Sequence, residues 1–195
     1  LFTAIYTPKD ASKTYPFMMV RSPYGSGPYG AENYKSNLAA TDMYPRSGYI
    51  FVYQDVRGRY QSEGKWVEMT PHLAVKRSTK NVDESTDTYD TVEWLLKNVP
   101  GNNGRAGLTG VSYPGFYAAA GMIDAHPALK AVSPQAPIID LFRGDDTFHN
   151  GAFYLAANFG FYSFFVPQAN PVAQGVRPER VNYGTTDGYE FYLGL

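Results

Sequence analysis

The chain has 195 residues, 44% of them hydrophobic and 18% charged, with a formal net charge of −1 and no cysteine. That length and balance suit one substantial folded domain or most of one, and the lack of cysteine excludes disulfides, thiolate metal sites and a cysteine nucleophile. Near-neutral charge without a basic run argues against nucleic acid or an anionic membrane as a partner, and no apolar stretch reaches bilayer-spanning length.

Apolar runs at 17–20 and 49–53 predict two buried strands. Their hydrophobicity is continuous rather than alternating, which fits parallel strands covered on both faces. The stretch "DESTDTYDTVEWLLKNVPGNNG" then predicts a helix. Its acidic first turn complements the positive end of the helix dipole, and Tyr89, Val92, Leu95 and Leu96 recur at helical spacing. Pro100 and Gly101 stop that helix, and "GNNG" reads as a loop. A third strand is predicted at 107–111, a second helix from 116 to about 124, and a fourth strand at 131–133. Strand, helix, strand, helix, strand is the order of an α/β fold with a mostly parallel sheet.

After about Pro137 the pattern changes. "LFRGDDTFHNGAFYLAANFGFYSFF" is densely aromatic and has no strand-like period, so 138–195 reads as the start of a helical insertion over the sheet formed by 1–137. The first residues carry no targeting signal, and the last carry no helix stop. The chain is therefore expected to be the N-terminal part of a longer protein.

The segment "GLTGVSYPGFYAAAG" carries the chemistry. Within it Gly110, Ser112 and Gly115 match a nucleophile elbow, G-x-S-x-G, with the closing glycine one place late. An apolar strand precedes the serine and a small-residue helix follows, which is the setting of a nucleophilic serine; a strand-to-helix turn that merely contains a serine is the alternative from pattern alone. The elbow exposes the hydroxyl at the carboxyl end of a strand, and the helix N-terminus behind it favours developing negative charge. A serine needs a base, usually a histidine oriented by a carboxylate. His72 precedes the serine. His126, in "DAHPALK", sits at the far end of the elbow helix and reads as a helix-end residue, and His149 lies in the aromatic insertion. None is placed as a base. Asp55 and Arg57 in "QDVRG" read as a structural ion pair shaping the loop, and Tyr24 by itself as a turn tyrosine after Pro23.

Taken in order, "RSPYG", "YQDVRGRYQSEG", "TYDTVEWLLKNVPGNNGRAGLTGVSYPGF", "HPALKAVSPQAPIIDLFRGDDTFHNGAF" and "DGYEFYLG" resemble the α-amino acid ester hydrolases. The wider group contains cocaine esterase, the Xaa-Pro dipeptidyl peptidases and the glutaryl-7-aminocephalosporanic acid acylases. The resemblance implies an α/β-hydrolase fold, with helices on both faces of the sheet, and the start of a helical cap. It implies Ser112 as nucleophile, with the backbone N–H of Tyr113 and the hydroxyl of Tyr24 as oxyanion donors. It further implies Asp146 as one acid of a carboxylate cluster for a substrate α-ammonium group, and a triad aspartate and histidine downstream of residue 195. The expected activity is a serine esterase or acylase acting on small ester or amide substrates through an acyl-enzyme, without metal or organic cofactor. A dipeptidyl peptidase cleaving after proline and a non-catalytic binding protein of the same fold are the alternatives. The resemblance points to a periplasmic or secreted location and leaves the oligomeric state open, a homo-oligomer included.

Overall fold

The structure is a computed structural model and describes residues 1–144, 146–165, 171–172 and 182–195. Five strands form one sheet in the order β1-β3-β2-β4-β5. They are β1 (Thr3–Tyr6), β2 (Tyr15–Ser22), β3 (Ile50–Asp55), β4 (Asn102–Val111) and β5 (Leu129–Gln135). β2 runs parallel to both β3 and β4, and β4 parallel to β5, whereas β1 lies antiparallel along β3. The four apolar runs fall in β2, β3, β4 and β5, except that Tyr49 precedes the start of β3. β1 escapes sequence reading because its residues are only partly buried and show no period. β4 begins inside the "GNNG" stretch expected as a loop. Its first residues are polar and largely exposed, and Asn102 pairs with Tyr15.

Two long helices pack against each other and against this sheet: α2 (Glu84–Asn98) and α3 (Tyr113–Gly121), which follow the short α1 (Met43–Ser47). On α2, Val92 and Leu95 are fully buried among Phe17, Met19, Ile50, Val52 and Leu108. Each such large apolar side chain contributes about 1.5–3 kcal/mol on burial. α3 starts at Tyr113 rather than 116, because Ser112 is its N-cap and Tyr113 and Pro114 open its first turn. Proline at that position loses no helical hydrogen bond.

The acids in the first turn of α2 are buried rather than solvated. Arg21 of β2, fully buried, donates to Glu84 Oε2 at 2.9 Å, to the Thr88 hydroxyl at 3.0 Å and to Gln54 Oε1 at 2.8 Å. Its guanidinium lies 5.7 Å over the Tyr117 ring of α3. One side chain thereby joins β2, β3, α2 and α3. Arg57 pairs with Asp87 of the same helix at 2.5 Å. This corrects the expected Asp55–Arg57 pair. Asp55 ends β3 and faces the loop after β2, accepting from Ser26 N–H at 2.6 Å and from the Tyr29 hydroxyl at 2.9 Å, while Arg57, beyond the strand, reaches α2. Burial pushes the Asp55 carboxyl up, against the hydrogen bonds from Gln61, Tyr29 and Ser26.

Beyond Pro137 lie a two-residue hairpin, β6 (Phe148–His149) with β7 (Ala152–Phe153), then α4 (Leu155–Tyr162) and α5 (Gly188–Leu193). The hairpin is too short to show a period in sequence. Phe165, just past α4, packs with Trp66, Tyr113 and Tyr117 and so brings the aromatic segment down onto the start of α3. Among the described residues no helix is long and apolar enough to cross a membrane.

α2 is held at its start by Asp83. The carboxylate accepts from Thr86 N–H at 2.9 Å and, across the loop, from Leu73 N–H at 2.9 Å. Burial pushes this carboxyl up, but the Leu73 and Thr86 N–H groups, the Ser85 hydroxyl and Lys76 outweigh it and leave it well below the usual carboxylate range. Replacing an N-cap aspartate costs roughly 0.5–2 kcal/mol, and here the Leu73 N–H loses its acceptor too. Asp83→Ala should therefore destabilise the full-length protein by about 2 kcal/mol at pH 7 in denaturant unfolding. A depressed folded-state pKa stabilises above the unfolded value of about 3.9, and the benefit is lost as pH falls below it. The gap between wild type and Asp83→Ala should accordingly narrow as pH is lowered through 4 toward 3.

Candidate active site

β4 passes into α3 through one residue, Ser112, whose backbone sits at φ 62°, ψ −124°. A non-glycine residue rarely adopts a positive φ, and strain of this kind, on the order of 1–3 kcal/mol, persists only where the surroundings enforce it. Here Ser112 N–H donates to Gln135 O of β5 at 2.9 Å, and Ser112 O accepts from Phe116 N–H at 3.1 Å. The side chain is left exposed at the carboxyl end of β4.

The spacing of the elbow glycines follows from close backbone approach. A Cβ on Gly110 would lie 2.2 Å from Pro114 O, and one on Gly115 would lie 2.5 Å from Gln135 O. The second glycine falls one place late because the backbone that crowds α3 is the end of β5, which faces position 115. Pro114, at the usual glycine position, instead turns its carbonyl toward Gly110.

Two tyrosines adjoin the serine. Tyr113 is the first residue of α3, so its N–H has no partner within the helix. The Tyr24 phenol lies against the Ser112 side chain. Burial pushes this phenol up, the hydrogen bond with Ser112 pulls it down, and the charge of Glu68 pushes it up further. Tyr24 thus remains a protonated donor through neutral pH. Its ring stands edge-on to Tyr113 at 6.0 Å and 85°, and the loop carrying it is tied to Asp55 through Ser26 and Tyr29. Ser112, Tyr113 and Tyr24, named from sequence for these roles, are therefore neighbours.

Glu68 and Trp66 belong to the same neighbourhood and are missed by sequence reading. The Tyr113 hydroxyl donates to Glu68 Oε1 at 2.5 Å and accepts from Met69 N–H at 3.1 Å. Burial, then the Glu68 bond and charge, hold the Tyr113 phenol far above its ordinary value. A lone acid in "GKWVEM" has no spacing that would signal this contact.

The histidines are engaged elsewhere. His126 Nδ1 accepts from Ala128 N–H at 3.0 Å, which leaves Nε2–H to donate to Glu93 at 2.7 Å. His72 lies 3.3 Å from Asp83. The His149 ring stacks on Tyr154 in the hairpin region. Asp146 lies exposed in the turn before β6 and enters no ion pair among the described residues. Among the described residues no three His, Asp or Glu side chains are grouped so as to hold a metal ion.

The profile of the X-Pro dipeptidyl-peptidase (S15) family matches residues 1–184. Cocaine esterase from Rhodococcus sp. (strain MB1 Bresler) is 30% identical over 175 residues, which is 90% of this chain and 28% of that protein. Two solved structures each overlay 98% of the chain and 31% of their own length. One is an aminopeptidase from a marine sediment Thaumarchaeota archaeon, with TM-score 0.76 and 37% identity. The other is an α-amino acid ester hydrolase, with TM-score 0.75 and 35% identity. The chain thus spans about a third or less of the length of these relatives.

The glycine geometry makes a direct prediction. Gly115→Ala sets a methyl group against backbone and should destabilise the full-length protein by about 1–3 kcal/mol. Gly160→Ala in α4, where a Cβ meets open space, should be neutral or stabilising by up to about 1 kcal/mol. Paired thermal or denaturant unfolding of the two variants checks the contrast.

Proposed function

Because the chain belongs to the X-Pro dipeptidyl-peptidase (S15) family, we propose that the whole protein is a serine hydrolase with Ser112 as nucleophile. The observation that carries this reading is the strained, exposed Ser112 at the start of α3, with the Tyr24 ring edge-on to the adjoining Tyr113. Ser112 Oγ attacks the substrate carbonyl, and the resulting alkoxide oxygen receives the Tyr113 N–H and the Tyr24 O–H. Such donors act most strongly where charge develops, because they are already oriented when it forms. Collapse expels the alcohol or amine and leaves an acyl-Ser112 ester, which water or an amine then cleaves. The base that takes the Ser112 proton is proposed to come from the part of the relatives' length that residues 1–195 do not span.

For the substrate we favour esters or amides of small α-amino acyl groups, with Asp146 receiving the α-ammonium. Exposed and free of ion pairs among the described residues, its carboxylate is available to a cation. A dipeptidyl or aminopeptidase activity is the second reading, favoured by the family description and by the 37%-identical aminopeptidase. It also calls for an acid near a free amino terminus. Acylase activity on β-lactam side chains is a narrower form of the first reading.

Ser112→Ala should abolish labelling of the full-length protein by a fluorophosphonate, as well as turnover, without loss of fold. Tyr24→Phe should lower kcat by about 10²–10³ and change KM much less, since its bond strengthens mainly in the transition state. Labelling that persists at another serine, or a Tyr24→Phe kcat near that of wild type, would refute these roles. The substrate class is tested with Asp146→Asn on matched esters with and without a free α-amino group. The expected result is a loss of about ten- to a hundredfold in binding of the amino ester alone. Equal losses on both would instead make Asp146 a structural residue.

A further inference from the structure

We propose that Glu68 is a positioning residue of this site, holding the oxyanion donors in place by accepting the Tyr113 hydroxyl. The inference rests on the serine-hydrolase reading above. Tyr113 has two duties at opposite ends. Its backbone N–H opens α3 beside Ser112, while its side chain runs inward, is fully buried and stacks on Tyr117 at 5.3 Å and 9°. At the inner end the hydroxyl donates to Glu68 Oε1 at 2.5 Å and accepts from Met69 N–H at 3.1 Å. An ionised carboxylate is the stronger kind of acceptor for a phenol, and short bonds of this type are directional. The tie fixes the residue whose N–H must meet the oxyanion. It also fixes the ring against which Tyr24 rests edge-on, at 6.0 Å.

The surroundings of Glu68 fit support of the site better than ligand binding. The Arg59 guanidinium lies 5.2 Å over Trp66 and 5.3 Å over Phe165, in the same aromatic cluster. Burial holds the Glu68 carboxyl above its ordinary value, and the Tyr113 hydrogen bond, the Arg59 charge and the Trp66 hydrogen bond pull it back only in part. All three of those groups belong to the protein's own aromatic cluster. Arg59 Nε also donates to Pro23 O at 3.3 Å, directly before Tyr24 in the chain. Segment 59–69 thus reaches both donors from behind, Tyr113 through Glu68 and the Pro23–Tyr24 backbone through Arg59. Displacements of about 1 Å in such a setting cost up to about 10² in rate.

The test is a double-mutant cycle in the full-length protein, combining Glu68→Leu with Tyr113→Phe and using Glu68→Gln as the conservative variant. Two rates are read: hydrolysis of p-nitrophenyl acetate and fluorophosphonate modification of Ser112. Glu68→Leu should lower kcat and the labelling rate together by about 10- to 100-fold, with KM within about twofold. Glu68→Gln, whose amide oxygen still accepts the phenol, should recover most of the rate. On a Tyr113→Phe background, Glu68→Leu should add little, because both changes remove the same bond. Additive losses, a KM effect without a kcat effect, or a Gln variant as slow as the Leu variant would overturn the assignment. So would unchanged rates in a folded Leu variant. Failure of wild type to be labelled at Ser112 would instead remove the serine-hydrolase reading, and this inference with it.

Discussion

The passage from β4 into α3 through a single residue is the constraint on which the rest of the molecule depends. A strand and a helix can meet this closely only if the connecting residue accepts a positive φ and if no Cβ stands between their backbones. Ser112 meets the first condition at φ 62°, and Gly110 and Gly115 meet the second. The bond from Ser112 N–H to Gln135 O links the turn to β5, so the strain is held by the sheet and not by the turn alone. Once α3 begins at Tyr113, the first helical N–H without a partner in the helix belongs to the residue directly after the serine. The geometry that strains the chain is also the geometry on which the proposed attack by Ser112 relies.

Behind the elbow the molecule places charge where an apolar core would be the simpler solution. Arg21 forms a buried network with Glu84 and Asp87 of α2, which the partly exposed Arg57 joins from outside, and the Arg21 guanidinium faces Tyr117, which in turn stacks on Tyr113. Desolvating charges largely cancels the attraction between them, so such a network is weak evidence for stability, although removing one member leaves an uncompensated buried charge and is costly. Its directional bonds do fix α2 and α3 relative to β2. Segment 59–69 adds a second set of polar contacts, to Tyr113 and to the residue preceding Tyr24. The site is thereby supported from two directions by polar contacts within an aromatic setting.

Much of the sheet was legible in sequence, because buried parallel strands need unbroken apolar runs and the core side chains of β2, β3 and β4 provide them. The elbow was legible for a similar reason, since close backbone approach admits glycine and little else. What escaped was whatever depends on a single contact across the fold. Glu68 is one acid with no periodic partner. The Asp55–Arg57 pairing failed because β3 ends at Asp55 and Arg57 lies beyond it, so each found its partner in a different element. The start of β4 was hidden because it is paired but exposed, so its composition reads as a loop. The family motifs brought in Tyr24, which composition alone would have left as a turn residue, and the structure sets its phenol against Ser112.

The proposed mechanism requires that an oxygen bonded through Ser112 meet both donors at once. The most direct measurement is a crystal structure of the full-length protein after reaction with a fluorophosphonate. The predicted result is phosphorus bonded to Ser112 Oγ, with its phosphoryl oxygen about 2.7–3.1 Å from both Tyr113 N and the Tyr24 hydroxyl. An adduct on another residue, or a phosphoryl oxygen turned away from both tyrosines, would contradict it.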